Sequence, residues 1–362
     1  MRLATLVLFI FCVGCVHNSV AADAVWYAHM AGFGYSEPIG LRQFTTDWSG
    51  RISSGDTALQ HVQVESGVEY QDWGAGLFWR DDAEARFSAD TAQLYYLLKN
   101  KQLLEVGRQY SIDLDVEHAR SNGIRIFRTM RFDTWATLIL GASLFHSDKL
   151  ISGTMRGTAT ATGKKDYELN RVTVDYYYSR DVLFDRKVTA PPGRGFAFDL
   201  DLIVVPAPAW SVHLKTENLF GNIFWKSAPF TQAQVDTDNK TYDENGYAHV
   251  KPLLSGKQGN RDYRQRLPLL VDTRVSYNVS YAIGMVGGLT YSPAQLFRSV
   301  GAEWRLDALT NLAVLYTFDA DMVTLSAHFA RGYLSMGADR ASVGEAHALT
   351  VALGFTYLLG DF

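Results

Sequence analysis

Cysteine is almost missing from this 362-residue chain, and both copies, Cys12 and Cys15, fall within its first 22 residues. A product cleaved after Ala22 or Ala24 therefore has no disulfide and no thiolate metal site. Past the N-terminus there is no run of about 20 apolar residues, and mean hydropathy is -0.07, so helical membrane spans are excluded. An excess of one charge is also missing. The 38 acidic and 34 basic residues leave a net charge of -4 and form no basic block, which argues against nucleic acid as a partner. The nine histidines are scattered without metal-ligand spacing, and neither a cofactor nor a resident metal is expected.

What is present starts with a secretory signal. Arg2 precedes an apolar core, Leu3 to Val13, and then the small residues Ser19-Val20-Ala21-Ala22-Asp23-Ala24. The apolar core is about half as long as a spanning helix requires. Val13-Gly14-Cys15 loosely matches a lipoprotein processing site, although Cys12 stands where an aliphatic residue is usual. The expected organisation is residues 1–22 as signal peptide and 23–362 as one domain.

Period-2 alternation is the strongest pattern in the chain. From Leu269 to Tyr281, Leu269, Val271, Val275, Tyr277 and Val279 interleave with Asp272, Arg274, Ser276 and Asn278. Tyr110, Ile112, Leu114 and Val116 interleave with Ser111, Asp113, Asp115 and Glu117, and Trp210, Val212 and Leu214 with Ser211, His213 and Lys215. The pattern recurs at 62–70 and 196–204, and further strands are predicted at about 73–80, 124–132, 135–146, 150–161, 171–180, 285–292, 297–306, 309–318, 322–331 and 348–359. Weaker signals lie at 25–35 and 43–52, and 88–104 is compatible with a short helix or a hairpin. The apolar faces repeatedly end in rings, namely Trp73, Trp79, Trp135, Tyr176, Tyr178, Trp210, Tyr281, Tyr291 and Trp304, as in strands whose ends reach the lipid headgroups. A soluble β-sandwich also alternates, but some fifteen regularly adjacent strands are too many for one. The expected fold is a closed antiparallel transmembrane β-barrel of about 14 strands, with 12 to 16 compatible, because in hydrocarbon a β-protein satisfies its backbone only by leaving no edge.

Together, the signal segment, the alternating strands and the terminal Phe362 resemble Gram-negative outer-membrane β-barrel proteins over almost the whole mature chain. The resemblance implies location in the cell outer membrane, contact with its lipid, and insertion by the barrel-insertion machinery. In that class a terminal aromatic shares the lipid face of the last strand. Here Leu349, Val351, Leu353, Phe355, Tyr357 and Leu359 share one face, and Phe362 has the opposite parity.

Between strands, Ser147-Asp148-Lys149, Asp319-Ala320-Asp321 and Ser121-Asn122-Gly123 read as turns, and 226–266 reads as one long polar outer loop. Within it, Asp236, Asp238, Asp243 and Glu244 invite a calcium reading, but the spacing is not that of an EF-hand and a solvated loop is the plainer account. His118-Ala119-Arg120-Ser121-Asn122-Gly123 resembles the His-x-Ser-Asn-Gly segment of outer-membrane phospholipases and lipid A deacylases. Those enzymes need His and Ser two apart, on one strand face. A separation of three places His118 and Ser121 on opposite faces unless a bulge intervenes.

The polar faces carry the remaining chemistry. Acids stand at Glu65, Glu69, Asp113, Asp115, Glu117, Asp199, Asp201, Glu217, Asp272 and Glu303; bases stand at Arg125, Arg131, Arg156, Lys215, Arg274 and Arg305. With lipid on the other face, these residues line the interior, where they either pair and plug it or create a wet passage for small polar solutes. Three functions follow: a porin-like channel or uptake protein without catalysis, a non-conducting structural or assembly barrel with an envelope partner, and a lipid hydrolase. The small residues Ala352, Gly354 and Thr356 favour the first.

Overall fold

The computed structural model describes residues 24–237, 240–242, 248–250 and 254–359. The signal segment with Cys12 and Cys15, the terminal Phe362, and Asp238, Asp243 and Glu244 of the suggested calcium run lie outside the described residues. The strands in chain order are β1 (24–36), β2 (57–70), β3 (73–87), β4 (109–132), β5 (136–161), β6 (167–178), β7 (193–207), β8 (210–235), β9 (240–242), β10 (248–250), β11 (254–266), β12 (270–278), β13 (283–291), β14 (296–305), β15 (311–317), β16 (322–329), β17 (332–338) and β18 (348–358). Helices α1 (41–45) and α2 (89–99) follow β1 and β3.

Apart from the β9–β10 hairpin, the strands form one antiparallel sheet that β1 closes by pairing with both β2 and β18. Strands β6 and β7 share one position, pairing with different halves of β5 and β8, and β11 and β12 likewise share the far side of β8. The ring therefore has 14 staves. Val25 pairs with Leu358 at one end of the barrel, where the links are short: 71–72 follows β2 and 208–209 follows β7. The longer connections, 37–56 and 88–108, leave the opposite end. Short periplasmic turns and long outer loops fix the orientation.

Large apolar side chains cover the outside, including Leu77, Ile124, Leu144, Met285, Leu325 and Met336, each more than half exposed. Such a surface is unstable in water and stable against lipid tails. Trp73, Trp135, Trp210, Tyr277 and Trp304 ring its periplasmic edge, all exposed. Closure without a free edge, an outward apolar band and an aromatic girdle make the chain an outer-membrane β-barrel.

Several segments differ from the sequence expectation. Strand β4 runs unbroken through Ser121-Asn122-Gly123. Gly123 is there to provide space: a Cβ would lie 2.2 Å from the Leu144 carbonyl oxygen and 2.5 Å from the Phe145 Cβ. Ser147-Asp148-Lys149 is likewise no turn, because β5 continues past it as a bulge, with Arg120 pairing with Lys149 and Ser121 with Ser147. The supposed loop 226–266 is mostly strand: β8 extends to Val235 and β11 pairs along it. Residues 43–45 of the segment 43–52 belong to helix α1, residues 89–99 of 88–104 form helix α2, and β17 has no counterpart among the expected strands.

These long strands raise one arc, β4 to β11, beyond the membrane band. Tyr176 and Tyr178, expected at the headgroup level, are buried there against Phe184 and Val188 of the 179–192 excursion. The upper edge of β4 is covered by the start of α2: the Ser111 N–H donates to Asp90 Oδ2 at 3.1 Å and the Asp113 N–H to Thr91 Oγ1 at 2.9 Å. On the far side β11 curls back over β4 and β5. Its Tyr263 ring stacks on Tyr177 with centroids 3.7 Å apart, and Gln265 donates to Glu117 Oε2 at 2.8 Å. Trp225, buried in the cluster beneath with Phe78, Phe145 and Ile223, donates its indole N–H to Gln265 Oε1 at 3.0 Å.

Candidate functional site

Strand alternation decides which side chains face the lumen, and the two halves of the ring present different chemistry. From β13 to β18, most residues opposite in parity to the lipid-facing Met285, Val300, Leu325 and Leu353 are small, among them Gly284, Gly301, Ala313, Ser326, Ser335 and Gly354, with Phe297 and Met322 toward the outer end and Glu303 and Arg305 toward the periplasmic end as larger exceptions. From β2 to β8 the inward positions carry long charged side chains. One wall therefore reaches toward the other.

At mid-height this reach becomes a bridge. On β2, His61 Nδ1 lies 2.5 Å from Asp82 Oδ1 of β3, and His61 Nε2 lies 3.3 Å from Glu217 Oε2 of β8. Lys215 Nζ approaches the other Glu217 oxygen at 2.6 Å. Arg80 on β3 lies 2.9 Å from Asp82 Oδ2 and donates from Nη1 to Asn218 Oδ1 of β8 at 2.6 Å. Asn218 in turn donates to the Pro268 carbonyl at 2.8 Å. It holds a left-handed backbone conformation, φ 64, where β8 kinks; Phe220, two residues on, has φ 53. The kink absorbs extra residues, since Phe196 pairs with Asn222 but Leu200 pairs with Thr216.

A second cluster centres on Glu65, which is 1 % exposed. Tyr27 donates to its Oε1 at 2.7 Å, and Arg125 Nη1 lies 3.5 Å away while also gripping Asp199 of β7. These carboxylates are buried but bonded on several sides, as an ion in a low-dielectric site must be. One unpaired polar atom remains at the bridge: Arg80 Nη2 is buried without a hydrogen-bond partner among the described residues. Toward the periplasm the lumen is wetter. The Lys215 side chain is 45 % exposed and that of His213, paired with Asp201 at 2.7 Å, is 39 % exposed. At the outer mouth Phe33 and Tyr35 of β1 meet Phe297 of β14 edge to face, with centroids 5.1 and 5.0 Å apart, and Leu59 and Met322 pack beside them.

The charged residues picked from the sequence divide by position. Arg125, Asp199, Asp201, Lys215 and Glu217 belong to the two clusters or lie just below them. Arg131 sits at the periplasmic end, 3.7 Å from Glu69 and 2.8 Å from Asp72. Asp113 pairs with Arg156 at 2.8 Å and Asp115 with Arg86 at 3.2 Å, both on the raised extension, and Glu117 is tied to the curled β11. Asp272, which accepts from Thr290 at 2.6 Å, stands on β12 with Arg274; Glu303 and Arg305 stand on β14, where Arg305 lies over the Tyr281 ring at 5.6 Å. The residues missed were His61, Arg80, Asp82 and Asn218. His61 has the parity of Gln63 and Glu65, so extending that alternation by one step would have reached it.

The His118–Ser121 pair does not come together. The bulge lies on β5 and not on β4. His118 Nε2 is 2.6 Å from Asp81 Oδ1, whereas Ser121 Oγ, on the other face, is 2.6 Å from Ser147 Oγ. Among the described residues no group of three or more His, Cys, Asp or Glu side chains is placed to hold a metal ion.

No protein-family model matches the sequence, and no curated relative does. Among solved structures the chain is similar in overall shape to the TodX deltaS2S3 mutant monoaromatic hydrocarbon channel, at 8% identity and a TM-score of 0.43, over 94% of this chain and 91% of that one. The Pseudomonas putida toluene transporter TodX gives 8% identity and a TM-score of 0.39 over 95% and 92% of the two chains. A Pseudomonas aeruginosa FadL homologue gives 9% and 0.30 over 92% and 90%.

Proposed function

We propose that this barrel is an outer-membrane uptake channel for small polar solutes, closed at rest by the His61–Glu217 bridge and the Phe33–Phe297 contact. The observation that carries the reading is the asymmetry of the lumen at mid-height: charged side chains project from one wall toward a wall whose inward residues are mostly Gly, Ala, Ser and Thr. A barrel built only to be filled would interdigitate bulky residues from both sides. A polar solute entering the bridge would find the free valence of Arg80 Nη2 as a partner. The inward residues Asp272, Arg274, Glu303 and Arg305 would extend the polar path along the periplasmic half.

Single-channel recording in planar bilayers tests this. Purified wild type should show rare, small openings. Phe297→Ala combined with Glu217→Gln, which shortens the mouth contact and removes the bridge charge, should raise open probability by at least an order of magnitude. A folded double variant as silent as wild type overturns the proposal. That result would favour a non-conducting structural barrel, a reading to which the cross-lumen links themselves lend weight.

A further inference from the structure

On the outer surface of the raised arc, one row of cross-strand neighbours runs Trp79, Asn122, His146, Arg194, Phe224, Arg264 across β3, β4, β5, β7, β8 and β11. The row below it on the same face is Leu77, Ile124, Leu144 and Phe196 on β3, β4, β5 and β7, which lies against lipid tails, and it continues as Asn222 and the exposed Arg266 on β8 and β11. On β5, residues 136–145 separate the girdle residue Trp135 from His146, about the length a tilted strand takes to cross the hydrocarbon. His146, Arg194 and Arg264 therefore stand at the outer headgroup layer, and all three are exposed.

The charge of the two arginines is not consumed within the protein. Among the described residues no acid pairs with Arg194 or His146. Among the described residues Arg264 donates only from Nε, to Asn222 Oδ1 at 2.8 Å, while its guanidinium sits over the Phe224 ring at 5.8 Å. The ring and the single bond orient the guanidinium and leave its terminal nitrogens free. The acids next to this row are Asp81, the bulged Asp148, and Asp262 on β11, which accepts the Ser227 backbone N–H at 2.8 Å. Asp81 is held by Arg120 at 3.0 and 2.8 Å and by His118 at 2.6 Å. Lys149, paired in register with Arg120, adds a base one step farther from the bilayer. On the opposite arc the outward Arg298 is neutralised by Asp319 at 2.6 Å, so no equivalent free row forms there.

We propose that His146, Arg194 and Arg264 form a binding site for the phosphate groups of a phosphorylated glycolipid in the outer leaflet, whose acyl chains would lie over Leu77, Ile124, Leu144 and Phe196. Continuity of the basic row with the lipid-facing row selects a lipid over a soluble phosphate, because only a lipid occupies both. The site is independent of conduction and stands whether or not the lumen opens.

The test uses the purified full barrel in phosphatidylcholine nanodiscs doped with equal amounts of bisphosphorylated lipid A and its dephosphorylated form, with retained lipid counted by native mass spectrometry. Wild type should keep the phosphorylated form over the other by about tenfold or more, and His146→Asn/Arg194→Gln/Arg264→Gln should bring the ratio near one. Arg298→Gln should leave the ratio as in wild type. Heat-modifiable gel migration establishes that each variant is folded, and if the triple variant is not, Arg194→Gln alone is read for a partial fall in the ratio. A wild-type ratio near one, a ratio unmoved by folded variants, or full displacement by millimolar inorganic phosphate overturns the assignment.

Discussion

His61 on β2 and Glu217 on β8 approach within 3.3 Å although three full-length staves and the shared β6/β7 position separate their strands around the ring. The contact is a chord across the lumen, and it couples two parts of the wall that no backbone hydrogen bond joins.

Glu217 is the shared anion of this chord, with Lys215 and His61 both bound to it. Glu217→Ala would leave the largely buried His61 and the half-exposed Lys215 without their shared anion. Losing the charged hydrogen bonds of a partly hydrated site costs about 1–3 kcal/mol. Urea unfolding from lipid vesicles should register a loss of that order, and Lys215→Ala in the Glu217→Ala background should recover part of it. Additive losses in the double variant would show that the two side chains are not coupled.

The curl of β11 should depend on a few polar contacts. The Tyr263 OH and the Ser152 Oγ are 2.6 Å apart, and Ser152 also donates to Glu117 at 2.6 Å. Tyr263→Phe removes one bond of about 1 kcal/mol while keeping the stack on Tyr177. Amide exchange across 254–262 should quicken by about fivefold, with the β12–β18 arc unchanged. Uniform quickening around the ring would contradict a local fastening.

Much of the barrel was legible because its environment is periodic: lipid outside and charge or small side chains inside impose period 2 on every stave, as in 269–281. The places where reading failed have local causes. Asn122-Gly123 carries the composition of a hairpin turn, but the glycine is demanded by Phe145 on the next strand, a contact invisible in one segment. The extension of β8 through 226–235 is polar because it lies beyond the membrane band, so a hydrophobic pattern could not announce it. The bridge itself was half visible. Lys215 and Glu217 could be read from their own strand, whereas His61 and Arg80 become partners only when the ring folds inward across several strands.

A second glycine makes the same point as a prediction. A Cβ on Gly67 of β2 would lie 2.2 Å from the Ala75 carbonyl oxygen and 2.6 Å from the Tyr27 hydroxyl. The carbonyl belongs to the adjacent strand and cannot swing aside. Gly67→Ala should therefore cost roughly 1–3 kcal/mol as an overpacked site, while Gly287→Ala, which meets nothing within 4 Å, should cost far less. Equal unfolding midpoints for the two variants would rule out this account of Gly67.

At the outer end, the turn between β15 and β16 offers a titration. The Asp319 carboxylate accepts the Arg298 guanidinium and, at 2.7 Å, the Arg298 backbone N–H, and these bonds hold its pKa below the ordinary aspartate value. A depressed folded-state pKa means that the turn is stabilised above the unfolded value, about 3.9, and that this contribution is lost as pH falls through the lower folded value. The Arg298 amide resonance should thus stay fixed through the usual aspartate range and move only at more acid pH. Because Tyr35 donates to the Asp319 carbonyl at 3.1 Å, loosening this turn also withdraws a support from the aromatic closure around Phe297. Asp319→Asn should abolish the acid titration of the Arg298 amide. If the same variant leaves the Tyr35 ring resonances untouched, the turn and the mouth are not linked.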